Sequence, residues 1–219
     1  MCSHGRVRSW SVVVPAKRLA VAKTRLRPLT SRLPGHAHDE LVLALLADTL
    51  AAATACAVVG TVVVVTDDRA AAAVARSLGV STVPDTPDRG LNRALEHGAR
   101  SARGPAVAAL SSDLPALRPD ELAAALDAAG ASAPRCFVVD AHGTGTTLLT
   151  AVGTDLRPRF GPGSAEAHRA GGATALSGSW PGLVRDVDTE NDLRAAETLG
   201  IGTRTAALLD RLRSSGTRP

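Results

Sequence analysis

The chain has 219 residues, 45% of them hydrophobic, enough for the core of one sizeable α/β domain; 2% aromatics and no Tyr leave too few rings for the stacking platforms of single-strand nucleic-acid binders. The net charge is +4 and the pI about 9.6, but the basic excess is concentrated between Arg6 and Arg32, which suits a small polyanionic ligand rather than a nucleic acid. No apolar run reaches the ~18 residues of a membrane span, no secretory leader opens the chain, and Cys2, Cys56 and Cys136 lack any disulfide or metal spacing, so a cytoplasmic protein with free thiols is expected.

Short β-branched runs alternate with Ala- and Leu-rich amphipathic stretches, the signature of an α/β domain whose mostly parallel sheet is covered on both faces. In chain order the predicted strands lie near 10–14, 60–66, 80–83, 106–111, 136–140, 147–152 and 183–187. Helices are predicted near 38–55, 68–78, 88–102, 118–129, 164–170 and 190–198. Gly79 and Gly171-Gly172 punctuate helix ends, Pro119 sits in a first turn, and Asp67-Asp68 reads as a helix cap. One domain is expected over 10–212, with loose polar tails at 1–9 and 213–219. From Pro134 onward Gly, Thr, Ser and Pro multiply, and substrate-specific loops are expected there.

Candidate chemistry gathers at strand ends, where open α/β sheets bind ligands. Lys17 and Lys23 are the only lysines beside twenty-three arginines, and with Arg25 they follow the first strand in a stretch that precedes every carboxylate of the chain, the first being Asp39. Compact ammonium groups there suit phosphate recognition, although a solvated basic loop would read the same way. No Gly-x-x-x-x-Gly-Lys or Gly-x-Gly-x-x-Gly accompanies them, which excludes a P-loop and a dinucleotide fingerprint. Asp113 follows the apolar run 106–110, placed to hold Mg²⁺ against a phosphate or, more simply, to cap a turn. Asp186 and Asp188 are two apart and so share a side of an extended segment, where their mutual repulsion favours a cation between them over helix capping. His142 to Leu148 and Phe160 to Ser164 offer hydroxyls and amides for anions, or ordinary tight turns. Asn92 could read a base or ribose edge, or simply start its helix. The histidines show no ligand spacing and are given no role.

Taken in order, Val14-Pro15-Ala16-Lys17 with Lys23-Thr24-Arg25-Leu26, Ser111-Ser112-Asp113-Leu114-Pro115, Asp140 with Gly143-Thr144-Gly145-Thr146-Thr147, Arg159-Phe160-Gly161 with Ser164, and Asp186-Val187-Asp188-Thr189 with Asp192-Leu193 strongly resemble the phosphoenolpyruvate/2-phospho-L-lactate guanylyltransferase family of deazaflavin coenzyme F-420 biosynthesis. The resemblance runs from about Val12 to Leu199, and its ordered combination is what makes it specific. It implies a three-layer nucleotidyltransferase fold, GT-A-like and Rossmann-like, with a mostly parallel mixed sheet. It also implies a GTP donor, Mg²⁺, and transfer of GMP to phosphoenolpyruvate or 2-phospho-L-lactate with release of pyrophosphate. Carried over, Thr146, Gly161 and Ser164 would contact the acceptor and Asp113, Asp186 and Asp188 would hold metal; independently of the resemblance, the charge of Lys17, Lys23 and Arg25 is expected to act on the nucleotide phosphates and in catalysis by neutralising the departing pyrophosphate. The rival readings are another nucleotidyltransferase, such as a molybdenum-cofactor guanylyltransferase, whose Gly-rich loop after the first strand is missing here, or a non-catalytic nucleotide-binding domain. The oligomeric state stays open, a homodimer included.

Overall fold

A computed structural model describes residues 9–16, 26–27, 36–85, 90–102 and 104–216. Its centre is β1 (Trp10–Pro15), whose first five residues are all buried. A Val run survives there because helices cover both faces of a parallel strand. Val12 and Val14 pack on one face with Leu46 and Leu50, and Val13 packs on the other with Leu95 and Phe137, as the two-residue period of a strand dictates.

The remaining strands are β2 (Val59–Val65), β3 (Ser81–Val83), β4 (Ala106–Leu110), β5 (Arg135–Val139), β6 (Thr146–Val152) and β7 (Thr174–Ala175), ordered β3-β2-β1-β4-β6-β5-β7 in one sheet. Pairing is parallel from β3 through β2 and β1 to β4 and again between β5 and β7, whereas β6 runs antiparallel to both β4 and β5. This is the mostly parallel mixed sheet expected from the sequence.

The helices are α1 (Ala37–Ala55), α2 (Arg69–Ser77), α3 (Leu91–Ser101), α4 (Pro119–Ala131), α5 (Ser164–Ala170), α6 (Glu190–Leu199) and α7 (Thr203–Gly216). Helices α1 and α4 cover one face and α3 and α5 the other, giving three layers. Gly98 of α3 lies directly on the sheet: a Cβ there would sit 2.5 Å from Val13 Cγ1 and 2.6 Å from Val65 Cγ2. The outer face of α1 carries a further core, Leu41 and Leu45 against Leu193 and Ala196 of α6 and Leu208 and Leu209 of α7.

Three expectations change. The segment 183–187 is turn and coil rather than a strand: the Leu183 and Val184 amides turn back onto the Trp180 carbonyl, Ala141 N–H donates to the Val184 carbonyl at 2.8 Å, and Val187 N–H donates to that of Asp113 at 3.1 Å. β7 and α7 were not foreseen. The polar tail expected from 213 is helical to Gly216, with Arg213 paired to Glu197 at 2.6 Å. Asp68 caps α2 as expected, accepting from the amides of Ala70 and Ala71.

Candidate active site

From β1 the chain moves to β2 on one side, and β4 then enters on the other, so β1 and β4 form the switch point at which open α/β sheets hold ligands beyond their carboxyl ends. Pro15-Ala16 leave β1 there and Ser111 to Asp113 leave β4. Ser111 N–H donates to the Thr147 carbonyl at 2.9 Å, carrying the β4–β6 pairing one residue past the strand and delivering Asp113 to the crevice. The turn beyond is fixed from α1: Leu114 N–H donates to Thr49 Oγ1 at 2.9 Å, and that hydroxyl donates to the Leu45 carbonyl.

The second acidic segment is fastened to the first. Val187 is fully buried and bonded to the Asp113 carbonyl, so Asp186 and Asp188 flank that anchor and both face the crevice. Upstream, Glu121 of α4 accepts from the amides of Gly182 at 2.9 Å and Leu183 at 3.0 Å. Burial pushes the Glu121 carboxyl up and these two amides partly hold it back. A Cβ on Gly182 would fall on the Ala116 carbonyl, so only glycine lets this turn lie against the chain leaving Asp113. Downstream, Thr189 and Asp192 form a capping box at the start of α6. Asp192 is buried, which raises its carboxyl, but hydrogen bonds from Thr189 and His142 prevail and hold it below the usual carboxylate range.

A further part of the wall comes from the β5–β6 connection and the loop before α5. Asp140 accepts from the Thr144 amide at 2.9 Å and tightens the turn that leads to Thr146, the first residue of β6. The Thr146 hydroxyl lies 2.9 Å from Nδ1 of the buried His168. Nε2 of the same ring accepts from the Arg159 amide at 2.9 Å. Gly161 stands at φ 134°, a conformation that glycine adopts without strain, and Ala165 N–H donates to the Thr144 carbonyl, joining the loop to the turn.

These walls enclose a cavity of about 750 Å³, within the range of small-molecule sites. Asp113, Asp186, Asp188, Thr146, Gly161 and Ser164 all line it. Asn92 is not among the lining residues: its carboxamide is engaged by Phe160, accepting from the amide at 2.7 Å and donating to the carbonyl at 3.1 Å, so it fastens the loop that precedes Gly161. Lys17, Lys23 and Arg25 lie outside the described residues, although Ala16, immediately before Lys17, lines the cavity. Sequence reasoning missed Asp140, His142 and Asp192 as cavity residues, and His168 altogether. The available signal for His168 was its place four residues after Ser164, one helical turn on and on the same buried face.

Among the described residues, no three acidic, His or Cys side chains converge closely enough to cage a metal by themselves. Mg²⁺ needs no such cage, since it takes one or two carboxylates and completes its octahedron with phosphates and water. The donor set on the cavity wall, Asp113 with Asp186 and Asp188, fits an ion of that kind shared with a phosphate ligand.

A family model described as "Guanylyl transferase CofC like" matches residues 10–217. The chain is 71% identical over 205 residues to the phosphoenolpyruvate guanylyltransferase of Geodermatophilus obscurus, with 93% of this chain and 95% of that one covered. It is 55% identical to the enzyme of that name from Salinispora arenicola, covering 91% and 92%. Among solved structures, it superposes with a TM-score of 0.70 on a candidate nucleotide-diphospho-sugar transferase of Desulfovibrio desulfuricans G20, at 16% identity over 94% of this chain and 95% of that one. A CMP:2-keto-3-deoxy-manno-octonic acid synthetase complexed with CTP matches with a TM-score of 0.58, at 16% identity over 87% and 98%. At such identities the structural likeness speaks for the fold alone.

Proposed function

The chain belongs to the CofC-like guanylyl transferase family and is a nucleotidyltransferase, and from this premise we propose that it transfers GMP from GTP to phosphoenolpyruvate, as a step toward a deazaflavin coenzyme. The observation that carries the reading is the meeting of Asp113, Asp186 and Asp188 with Thr146, Gly161 and Ser164 around one cavity at the switch point, although they come from four separate stretches of chain.

An oxygen of the acceptor phosphate attacks the α-phosphorus of GTP, the bond from that phosphorus to the bridging oxygen breaks, and pyrophosphate leaves with the electron pair. The second pKa of a phosphate monoester is about 6, so the nucleophile is largely ionised at neutral pH and needs no general base. What the protein supplies is alignment and compensation of charge. Thr146 and the Gly161 to Ser164 loop would hold the acceptor, with its phosphate toward the carboxylate wall. Asp113, Asp186 and Asp188 would hold Mg²⁺, which when bound neutralises the phosphates brought together there. Lys17, Lys23 and Arg25 would meet the charge that builds on the departing pyrophosphate.

Mass-spectrometric product analysis coupled to pyrophosphate release tests the reading, with phosphoenolpyruvate and 2-phospho-L-lactate as acceptors and GTP and ATP as donors. The guanylylated phosphoenolpyruvate is expected, with Lys23→Ala reducing turnover by about a hundredfold or more, the scale of one transition-state contact. Absence of that product with every donor overturns the assignment, and near-normal turnover in Lys23→Ala removes the lysine from the chemistry.

A further inference from the structure

His168 lies on α5 with 2% of its surface exposed and both ring nitrogens engaged. The Arg159 amide can only donate, so Nε2, 2.9 Å away, must accept and carries no proton. The proton of the neutral ring is then on Nδ1, and the contact at 2.9 Å is a donation from Nδ1–H to Thr146 Oγ1. With its oxygen accepting from the ring, the Thr146 hydroxyl has its own proton to give elsewhere, and Thr146 lines the cavity. The ring cannot readily turn: it sits between Phe137 and Phe160, at centroid distances of 5.8 and 5.2 Å, and these are the only two phenylalanines of the chain.

We infer that His168 is a positioning residue for the acceptor: as a fixed Nδ1–H donor it turns the Thr146 hydroxyl into a donor aimed at an anionic oxygen of the phosphorylated three-carbon acid, and so sets the affinity for that substrate. The inference rests on the acceptor site proposed above. It matters because an unconstrained threonine hydroxyl can present either a proton or a lone pair to its ligand, and only the proton attracts a phosphate or carboxylate oxygen. Burial, and then the positive charge of Arg159, push the His168 pKa down to about 4, so the ring keeps its neutral form at physiological pH.

Steady-state kinetics of GMP transfer with Thr146→Val, His168→Gln and the double variant test this. The Gln side chain can still accept from the Arg159 amide but offers no donor at the Nδ1 position. Each single variant should raise KM for phosphoenolpyruvate about fivefold or more, the worth of one hydrogen bond, with KM for GTP unchanged. The double variant should be no worse than either single one, because both remove the same contact. If Thr146→Val raises KM for the acceptor and His168→Gln does not, the positioning role is overturned while the acceptor site stands. If Thr146→Val leaves that KM unchanged, the acceptor site itself fails and takes this inference with it. Should His168→Gln not fold, nitrogen-15 NMR of the histidine-labelled wild-type protein still decides: a ring protonated at Nδ1 at pH 7 supports the assignment, and one protonated at Nε2 overturns it.

Discussion

His168 and Asp192 are buried titratable groups, and each makes folding depend on pH in its own window. The His168 pKa falls from an ordinary 6.5 to about 4 in the folded protein. Between those values the unfolded chain takes up a proton that the folded chain refuses, so stability declines as pH drops from about 6.5 toward 4 and stops responding to this group below that. A shift of that size corresponds to roughly 3 kcal/mol at most. Asp192 acts lower: its carboxyl is held below 3.8, so the stabilisation it gives is present above that value and is lost only as pH falls further. Urea midpoints measured from pH 7.5 to 4.5 should therefore decline in the wild-type protein and decline markedly less in His168→Gln; parallel slopes would show that the ring titrates normally. The behaviour of His168 was not legible in the sequence, because its partners are a hydroxyl 22 residues away and a backbone amide that only the folded loop brings to it, whereas the Thr189 partner of Asp192 is a local helix-start signal.

Among the elements, legibility followed how much each depends on its own residues. The Val runs of β1 and β2, the caps Asp68 and Thr189 and the Pro at the start of α4 are local signals, and those elements lie within a few residues of expectation. The apolar residues of 183–187 reported burial rather than a ladder: Leu183 and Val187 are fully buried, Asp186 and Asp188 face the cavity, and among the described residues no strand pairs with the segment. Helix α7 was missed because what starts it lies on another helix. Asp48 of α1, itself buried, accepts from the amides of Arg204 at 3.1 Å and Thr205 at 2.8 Å, supplying in trans the cap that α7 lacks in its own sequence. Asp48→Ala should cost about 1–2 kcal/mol, the usual worth of such a cap, and should expose α7 to proteolysis while leaving kcat and KM near wild type. A denaturant midpoint unchanged within error would show that α7 docks by its apolar face alone.

At the scale of the whole molecule, the sheet order sets what the site can do. Acidic residues leave β4 and the segment before α6 at the crevice, and the Thr146 and Gly161 loops meet them around the same cavity. The described carboxylates do not cage a cation unaided, so on the function proposed above a divalent ion held there would take its remaining ligands from phosphate oxygens and water. Binding of metal and nucleotide should then be cooperative. Mg²⁺ alone should shift the melting temperature little and GTP alone modestly, whereas the two together should stabilise by more than the sum. A ligand present at a hundred times its Kd adds about 2.7 kcal/mol, enough to resolve the three conditions by calorimetry. Asp113→Asn should abolish the excess, while the turn that carries residue 113 keeps its backbone anchors, the Thr49 hydroxyl on the Leu114 amide and the Val187 amide on the residue-113 carbonyl. Strictly additive shifts in the wild-type protein would mean that cation and nucleotide bind independently, and the carboxylate wall would then serve something other than phosphate transfer.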